Sequence, residues 1–152
     1  MQGSGLGLLL FVLYINELAE ILRTYGITVR LFADDLKMYA KILNPVDAEV
    51  LQMAVDRLVD WAESWQIKIS INKCNYMIIG KQPQFNIDVK IGDLCLPHVT
   101  SCRDLGIQVC SSLSNSSHIA NVVNVASQRC NLVMHSFITR DTDILKRAFI
   151  TC

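Results

Sequence analysis

The sequence carries no long apolar run, no Cys-x-x-Cys pair, no surplus of either charge and no internal repeat, and each absence narrows what the chain can be. The longest apolar stretch, Leu6–Ile15, falls short of the roughly 20 residues that span a bilayer. No basic segment precedes it and no small-residue cleavage site follows, so it reads as a buried helix rather than a secretory signal. Fourteen basic and fourteen acidic residues leave a formal net charge of zero. Nucleic-acid binders are usually basic, so the overall charge lends no support to that class of partner. The six cysteines (Cys74, Cys95, Cys102, Cys110, Cys130 and Cys152) are irregularly spaced inside apolar patterns. They read as reduced intracellular thiols rather than a disulfide framework, and nothing separates nucleus from cytoplasm. Cys95, His98, Cys102 and Cys110 offer four zinc donors, but not at a familiar spacing. Asn115-Ser116-Ser117 fits a glycosylation acceptor; without a secretory signal it reads as the start of a helix.

What is present is enough apolar sequence, 51% over 152 residues, for one domain with a true core or for a piece of a larger protein. A helix is expected from Leu6 to Tyr25, ending at Gly26. Asn44-Pro45 makes a cap and a first-turn proline for a second helix reaching Trp65, whose Leu51, Ala54, Val55, Leu58, Ala62 and Trp65 form a core stripe. Short strands are expected at Ile67–Ile71 and Tyr76–Ile79 around the Asn72-Lys73-Cys74 turn. A hairpin crosses Gly92-Asp93, and another strand pair lies between Ser101 and Cys110, broken at Asp104-Leu105-Gly106. A helix from His118 to Phe137 sets Ile119, Val122, Val123, Ala126, Cys130 and Val133 on one side, and a last helix begins near Asp141. This order predicts an α+β fold with an antiparallel sheet covered on one face. The chain opens on a glycine-rich loop with no strand before it and stops inside a helical pattern, so both ends read as interruptions.

The most informative segment joins two strand-like runs, Ile27–Ala33 and Leu36–Lys41. With Asp34-Asp35 as a two-residue loop, Ala33 opposes Leu36, Leu31 opposes Met38 and Val29 opposes Ala40. Phe32, Arg30 and Thr28 then oppose Lys37, Tyr39 and Lys41. Because strand side chains alternate with period two, one face is apolar and the other basic and aromatic, with two carboxylates at the tip. Adjacent carboxylates repel one another, and a cation reverses that balance. Asp-Asp also suits a tight hairpin loop less well than Asn-Gly or Asp-Gly, and a locally unfavourable turn points to function. Magnesium takes hard oxygen ligands of this kind. An isolated Asp-Asp pair is nonetheless more often a solvated acidic turn.

Gln2-Gly3-Ser4-Gly5, Phe32-Ala33-Asp34-Asp35, Ile69-Ser70-Ile71-Asn72-Lys73-Cys74 and Asp104-Leu105-Gly106-Ile107, taken in this order, resemble segments of the reverse transcriptases of non-LTR, LINE-type retrotransposons. Gln2-Gly3-Ser4-Gly5 and the helix through Tyr14-Ile15-Asn16-Glu17-Leu18 are similar to that family's glycine-glutamine loop and following helix. Phe32-Ala33-Asp34-Asp35 resembles its aromatic-Ala-Asp-Asp metal hairpin. The stretch from Trp61 to Trp65, with Ile69-Ser70-Ile71-Asn72-Lys73-Cys74, resembles the helix and lysine turn that come next. Asp104-Leu105-Gly106-Ile107 looks like the Leu-Gly hairpin that grips the primer. Any one motif is weak; four in the family's order across essentially the whole chain are specific.

The resemblance implies a palm-like antiparallel sheet packed on helices, with residues 1–98 a partial palm and residues 99–152 a primer-grip-like hairpin and the start of a helical thumb. Asp34 would be the principal metal ligand with Asp35 beside it, and two Mg2+ ions would serve the complete enzyme. Phe32 would flank the primer terminus. Gln2, Gly3 and Ser4 would lie near the template and the incoming nucleotide. Lys73 would sit close to the nucleotide's phosphates, placed to give a proton to the leaving pyrophosphate, and Leu105 and Gly106 would contact the primer backbone. An RNA template, a DNA primer and a deoxynucleoside triphosphate would be the partners, with no membrane. The sequence departs from the family in having Met1 where a proline is expected, and Gly7-Leu8 where Gly-Pro opens the helix. The fingers, and a strand bearing another metal-binding aspartate, would lie upstream of Met1. With that bridging ligand missing, two carboxylates do not hold two ions in catalytic geometry. The chain as given is therefore expected not to polymerise DNA. The alternative is a remnant of a decayed element that only binds nucleic acid, through Arg30, Phe32, Lys37 and Tyr39. The helix after Gly7 is also expected to expose apolar surface that favours self-association.

Overall fold

The computed structural model describes residues 5–137 and 141–151. They form two compact units, one running to Tyr76 and taking in Lys81–His98, the other made of Met77–Gly80 and the residues from Val99 onward. Among the described residues the architecture is α+β, with four α-helices and three separate two-stranded antiparallel sheets.

The first unit begins with α1 (Gly5–Arg23), whose C-terminal half turns Leu18, Ala19 and Leu22 inward. The hairpin β1 (Thr28–Phe32) and β2 (Asp35–Tyr39) follows, then α2 (Pro45–Ser64). The start of α2 is fixed as Asn44-Pro45 predicts. Asp47 N–H donates to Asn44 Oδ1 at 3.0 Å, and Asp47 Oδ2 accepts from the N–H groups of Asn44 and Leu43 at 3.0 and 2.7 Å. This reciprocal cap satisfies helix-end donors and is worth about 1 kcal/mol. The core joins Leu18, Ala19 and Leu22 of α1, Ile27 and Val29, and Ala54, Trp61 and Ala62 of α2, with Leu31, Leu36 and Met38 packed against it. A short hairpin, β3 (Lys90–Ile91) and β4 (Leu94–Cys95), lies against α2. Its outer edge is taken by a side chain: Gln52 Nε2 donates to the Lys90 carbonyl and Lys90 N–H donates to Gln52 Oε1, both at 2.9 Å.

The structure departs from three expectations. Leu6–Ile15 is not a buried helix: Leu6, Leu9, Leu10, Val12, Leu13 and Tyr14 are exposed, because the hairpin and α2 cover only the later turns of α1. Trp65 is 43% exposed and packs against Tyr14, with ring centroids 4.5 Å apart and the ring planes tilted by 49°, while its neighbour Trp61 enters the core. The strands expected at Ile67–Ile71 and Tyr76–Ile79 do not form, so no continuous sheet forms among the described residues. Their backbone donors are committed elsewhere. Gln66, at φ 55°, donates to Glu63, and Ile67 N–H reaches back to the Ala62 carbonyl at 2.8 Å, the paired bonds of a left-handed helix terminus. The Ile71 N–H donates to the Ile69 carbonyl at 3.1 Å, and the N–H groups of Lys73 and Cys74 close a single 3-10 turn, Ile71–Lys73. Tyr76 makes one isolated parallel bridge, to His98.

In the second unit, β5 (Ser101–Asp104) pairs with β6 (Ile107–Cys110) in a hairpin, followed by α3 (Ser116–Ser136) and α4 (Thr142–Thr151). The expected one-sided stripe of α3 is mostly exposed: of Ile119, Val122, Val123, Ala126, Cys130 and Val133, Val133 alone is buried. Among the described residues no helix is long and apolar enough to cross a membrane. Cys74, Cys95, Cys102, Cys110 and Cys130 are free thiols, and Cys152 lies outside the described residues.

Tyr76 supplies a pH signature for the first unit. Its hydroxyl donates to the Ile87 carbonyl at 2.6 Å, and its ring lies beside His98. Desolvation, then the electrostatic influence of nearby Asp88 and Cys95, pushes the phenol above its ordinary value. The folded state therefore holds this proton longer than the unfolded chain does. The resulting stabilisation is complete below about pH 10 and is lost as pH rises through the higher folded-state value. Tyr76→Phe is expected to lose about 1 kcal/mol at neutral pH with the hydrogen bond. It should also show a shallower alkaline decline than wild type in urea titrations. Parallel declines would contradict the assignment.

Candidate functional site

The acidic pair lies at a strand reversal, but its register is one step from the expected one. Thr28 pairs with Tyr39, Val29 with Met38, Arg30 with Lys37, Leu31 with Leu36 and Phe32 with Asp35. The two-residue loop is Ala33-Asp34, not Asp34-Asp35. Moving the loop by one residue shifts every pairing by two, which preserves side-chain parity, so the two faces keep their predicted character. The observed register joins Leu31 to Leu36 and Val29 to Met38, larger apolar pairs than Ala33 with Leu36 or Val29 with Ala40.

The consequence for the carboxylates is specific. Asp34 occupies the loop, while Asp35 is the first residue of β2 and lies opposite Phe32. Strand alternation places Asp35 on the same face as Phe32, Arg30, Lys37, Thr28 and Tyr39. Both aspartates are exposed, as are Phe32, at 62%, and Tyr39. Ala33 takes φ 50°, a left-handed conformation that glycine adopts freely and that costs an L-residue about 1 kcal/mol. The strain thus falls on the residue just before the acidic pair. Leu31, Leu36 and Met38 anchor the opposite face in the core, so the carboxylates stand on a supported hairpin.

Lys73 is exposed at the end of the 3-10 turn in the first unit, where its N–H donates to the Ser70 carbonyl at 2.9 Å. Leu105 and Gly106 form the β5–β6 loop of the second unit, at φ 46° and 88°. Two successive positive φ values give the mirror-image turn that matches strand twist. Glycine fits it; Leu105 does so under strain and leaves its side chain 51% exposed. Gln2, Gly3 and Ser4 lie outside the described residues. The structure thus brings Phe32, Asp34 and Asp35 together on one hairpin, with Lys73 and the Leu105-Gly106 loop on other elements.

Two neighbouring carboxylates are the right donors for a hard divalent ion, which is often held by one or two carboxylates with water and substrate phosphates completing its shell. They are too few for a two-ion centre. Among the described residues no three His, Cys, Asp or Glu side chains are grouped to hold a metal, which also sets aside the zinc grouping of Cys95, His98, Cys102 and Cys110.

The acidic pair thus lies at a hairpin tip, flanked by an exposed aromatic residue and backed by an apolar face, and comparison with known proteins gives the family. Residues 1–109 match the family described as reverse transcriptase (RNA-dependent DNA polymerase). The chain belongs to that family. It is 26% identical over 147 residues to an RNA-directed DNA polymerase from the mobile element jockey of Drosophila funebris, covering 93% of this chain and 15% of that protein. A protein of the same description from Drosophila melanogaster is 24% identical over 127 residues, covering 80% of this chain and 14% of that one. The chain thus spans about one seventh of the length of these relatives. No solved structure matches it significantly.

Proposed function

We propose that these residues are the metal-hairpin portion of the RNA-directed DNA polymerase of a LINE-type, non-LTR retrotransposon. The observation that carries this reading is the strand reversal at Ala33-Asp34-Asp35 beside exposed Phe32, within the residues matched to the family; the mobile-element relatives support the kind of element. In this reading residues 1–98 are a partial palm, and residues 99–152 a primer-grip-like hairpin with the start of a thumb. When bound, magnesium would lower the pKa of the primer 3′-hydroxyl and stabilise the leaving oxygen. Asp34 and Asp35 would hold it, and Phe32 would orient the primer end. Gln2, Gly3 and Ser4 would face template and nucleotide. Lys73 would neutralise the triphosphate and give up a proton there, and Leu105-Gly106 would hold the primer backbone. The partners are an RNA template, a DNA primer and a deoxynucleoside triphosphate. The free thiols fit an intracellular setting, and the exposed apolar turns of α1 favour self-association.

The 152-residue polypeptide alone is expected not to copy a template, because no third carboxylate joins Asp34 and Asp35 among the described residues. Primer extension on an RNA template with Mg2+ or Mn2+ should give no templated product. Synthesis that follows the template sequence would contradict this. The same shortage of ligands favours a second reading, a remnant that binds nucleic acid without catalysis through the Arg30, Phe32, Lys37 and Tyr39 face.

A further inference from the structure

We propose that the strand edge at residues 86–88 takes an added antiparallel strand from a partner peptide in which basic and apolar residues alternate, seated in the cleft between this edge and the start of α2. Ile87, Val89 and Ile91 are buried while Asn86, Asp88 and Lys90 are exposed, so the alternation of β3 continues back to Asn86. The backbone groups of successive strand residues face opposite edges. On the inner edge the Val89 carbonyl accepts from the Leu96 N–H at 2.8 Å, and the Ile87 carbonyl accepts from the Tyr76 hydroxyl at 2.6 Å. The outer edge belongs to Asn86, Asp88 and Lys90. Lys90 is paired there through its two hydrogen bonds with Gln52. Among the described residues the N–H and carbonyl of Asn86 and of Asp88 have no such partner.

Gln52 shows what this edge accepts. Its carboxamide exchanges both bonds with one residue, as the opposing residue does in a hydrogen-bonded pair of an antiparallel ladder. Gln52 Nε2 also donates to Asp56 Oδ1 at 2.7 Å, which fixes the carboxamide as an end stop. Past this stop lies a cleft of roughly 410 Å³ whose lining includes Pro45, Ala48, Glu49, Phe85 and Asp88. A peptide residue opposite Asp88 sets its side chain on the same face as Asp88, so a cation there meets that carboxylate, and Glu49 lines the same cleft. The peptide residues on either side turn to the other face, that of half-buried Phe85, where apolar side chains fit. Lys90, the lining's single cation, stands at the Gln52 end. Two carboxylates against one ammonium favour a basic peptide over a polyanion, and unpaired edge groups are what strand addition uses. The proposal needs neither metal nor polynucleotide, and it shares no residue with the Asp34-Asp35 hairpin.

The test is backbone-amide NMR of the full chain with a short peptide of alternating valine and arginine, blocked at both ends. At peptide about tenfold above its Kd, hydrogen exchange at the Asn86 and Asp88 amides should slow about tenfold. Methylating the backbone nitrogens of the arginines, whose N–H groups face the edge, should weaken binding about tenfold through two lost hydrogen bonds. Methylating those of the valines, which face away, should leave it unchanged, and neither peptide asks anything of the protein's folding. Glu49→Lys/Asp88→Lys, at two exposed positions, should weaken the valine–arginine peptide by roughly tenfold and strengthen a valine–glutamate peptide by a similar factor. Three results would overturn the proposal. One is no protection of these amides at about 1 mM peptide. Another is an equal effect of the two methylations. The third is protection that rises with protein concentration before peptide is added, which assigns the edge to a second copy of the chain. Each leaves the hairpin's own metal test standing.

Discussion

Leu22→Ala is expected to destabilise the first unit by about 3 kcal/mol. Leu22 is fully buried in the cluster formed by α1, the β1–β2 hairpin and α2. Truncating it removes the transfer free energy of its methyl and methylene groups and leaves a cavity, which together cost about 2–5 kcal/mol. A domain of ordinary stability has only about 5–15 kcal/mol in total, so the loss is a large fraction. Urea unfolding should show a midpoint shift at nearly unchanged slope. Leu6→Ala provides the contrast. Leu6 is 65% exposed on the same helix, and its truncation should change stability by no more than about 0.5 kcal/mol. Equal effects would mean that α1 packs along its whole length, contrary to the burial pattern.

Replacing Asp34 and Asp35 by asparagine is expected to abolish divalent-cation binding at the hairpin while leaving the fold intact. Both side chains are exposed and neither is part of the core, so the change is one of charge at nearly constant shape. Without a cation the substitution relieves repulsion between neighbouring carboxylates, and stability should hold or rise slightly. With a cation it removes the charged oxygens on which a hard ion depends. Asp34 lies in the loop and Asp35 at the closing pair of the ladder, so both single variants should bind more weakly than wild type and the double variant should not bind there.

The legible parts of the sequence were those set by period and by caps. The four helices follow from apolar spacing and from Asn44-Pro45, and the acidic reversal follows from alternation in Ile27–Lys41. The hairpin's exact loop was not legible because a two-residue shift in pairing leaves both faces unchanged, so pattern alone does not choose between the registers. The strand expected at Ile67–Ile71 failed for a different reason. Its residues have strand-like apolarity, but the left-handed end of α2 at Gln66 takes the Ile67 N–H, the Ile71 N–H turns back to the Ile69 carbonyl, and the Ser70 and Ile71 carbonyls accept the bonds of the 3-10 turn. Trp61 lies on α2 and Trp65 just past its end, and helical spacing alone does not decide which of the two enters the core. The Gln52 contact with Lys90 spans 38 positions, and the cleft beside it brings Glu49 and Asp88 into one lining. They are tertiary facts with no local signal. The family resemblance, by contrast, rested on short motifs in order, and the match over residues 1–109 bears it out.

The most direct test of the hairpin as a metal site is a Mn2+ titration followed by paramagnetic broadening of backbone amide resonances, in wild type and in Asp34→Asn/Asp35→Asn. The amides from Phe32 to Leu36 should broaden first in wild type and keep their linewidths in the double variant. Broadening that begins elsewhere, or that is identical in the two proteins, would contradict the assignment of Asp34 and Asp35 as the cation's ligands.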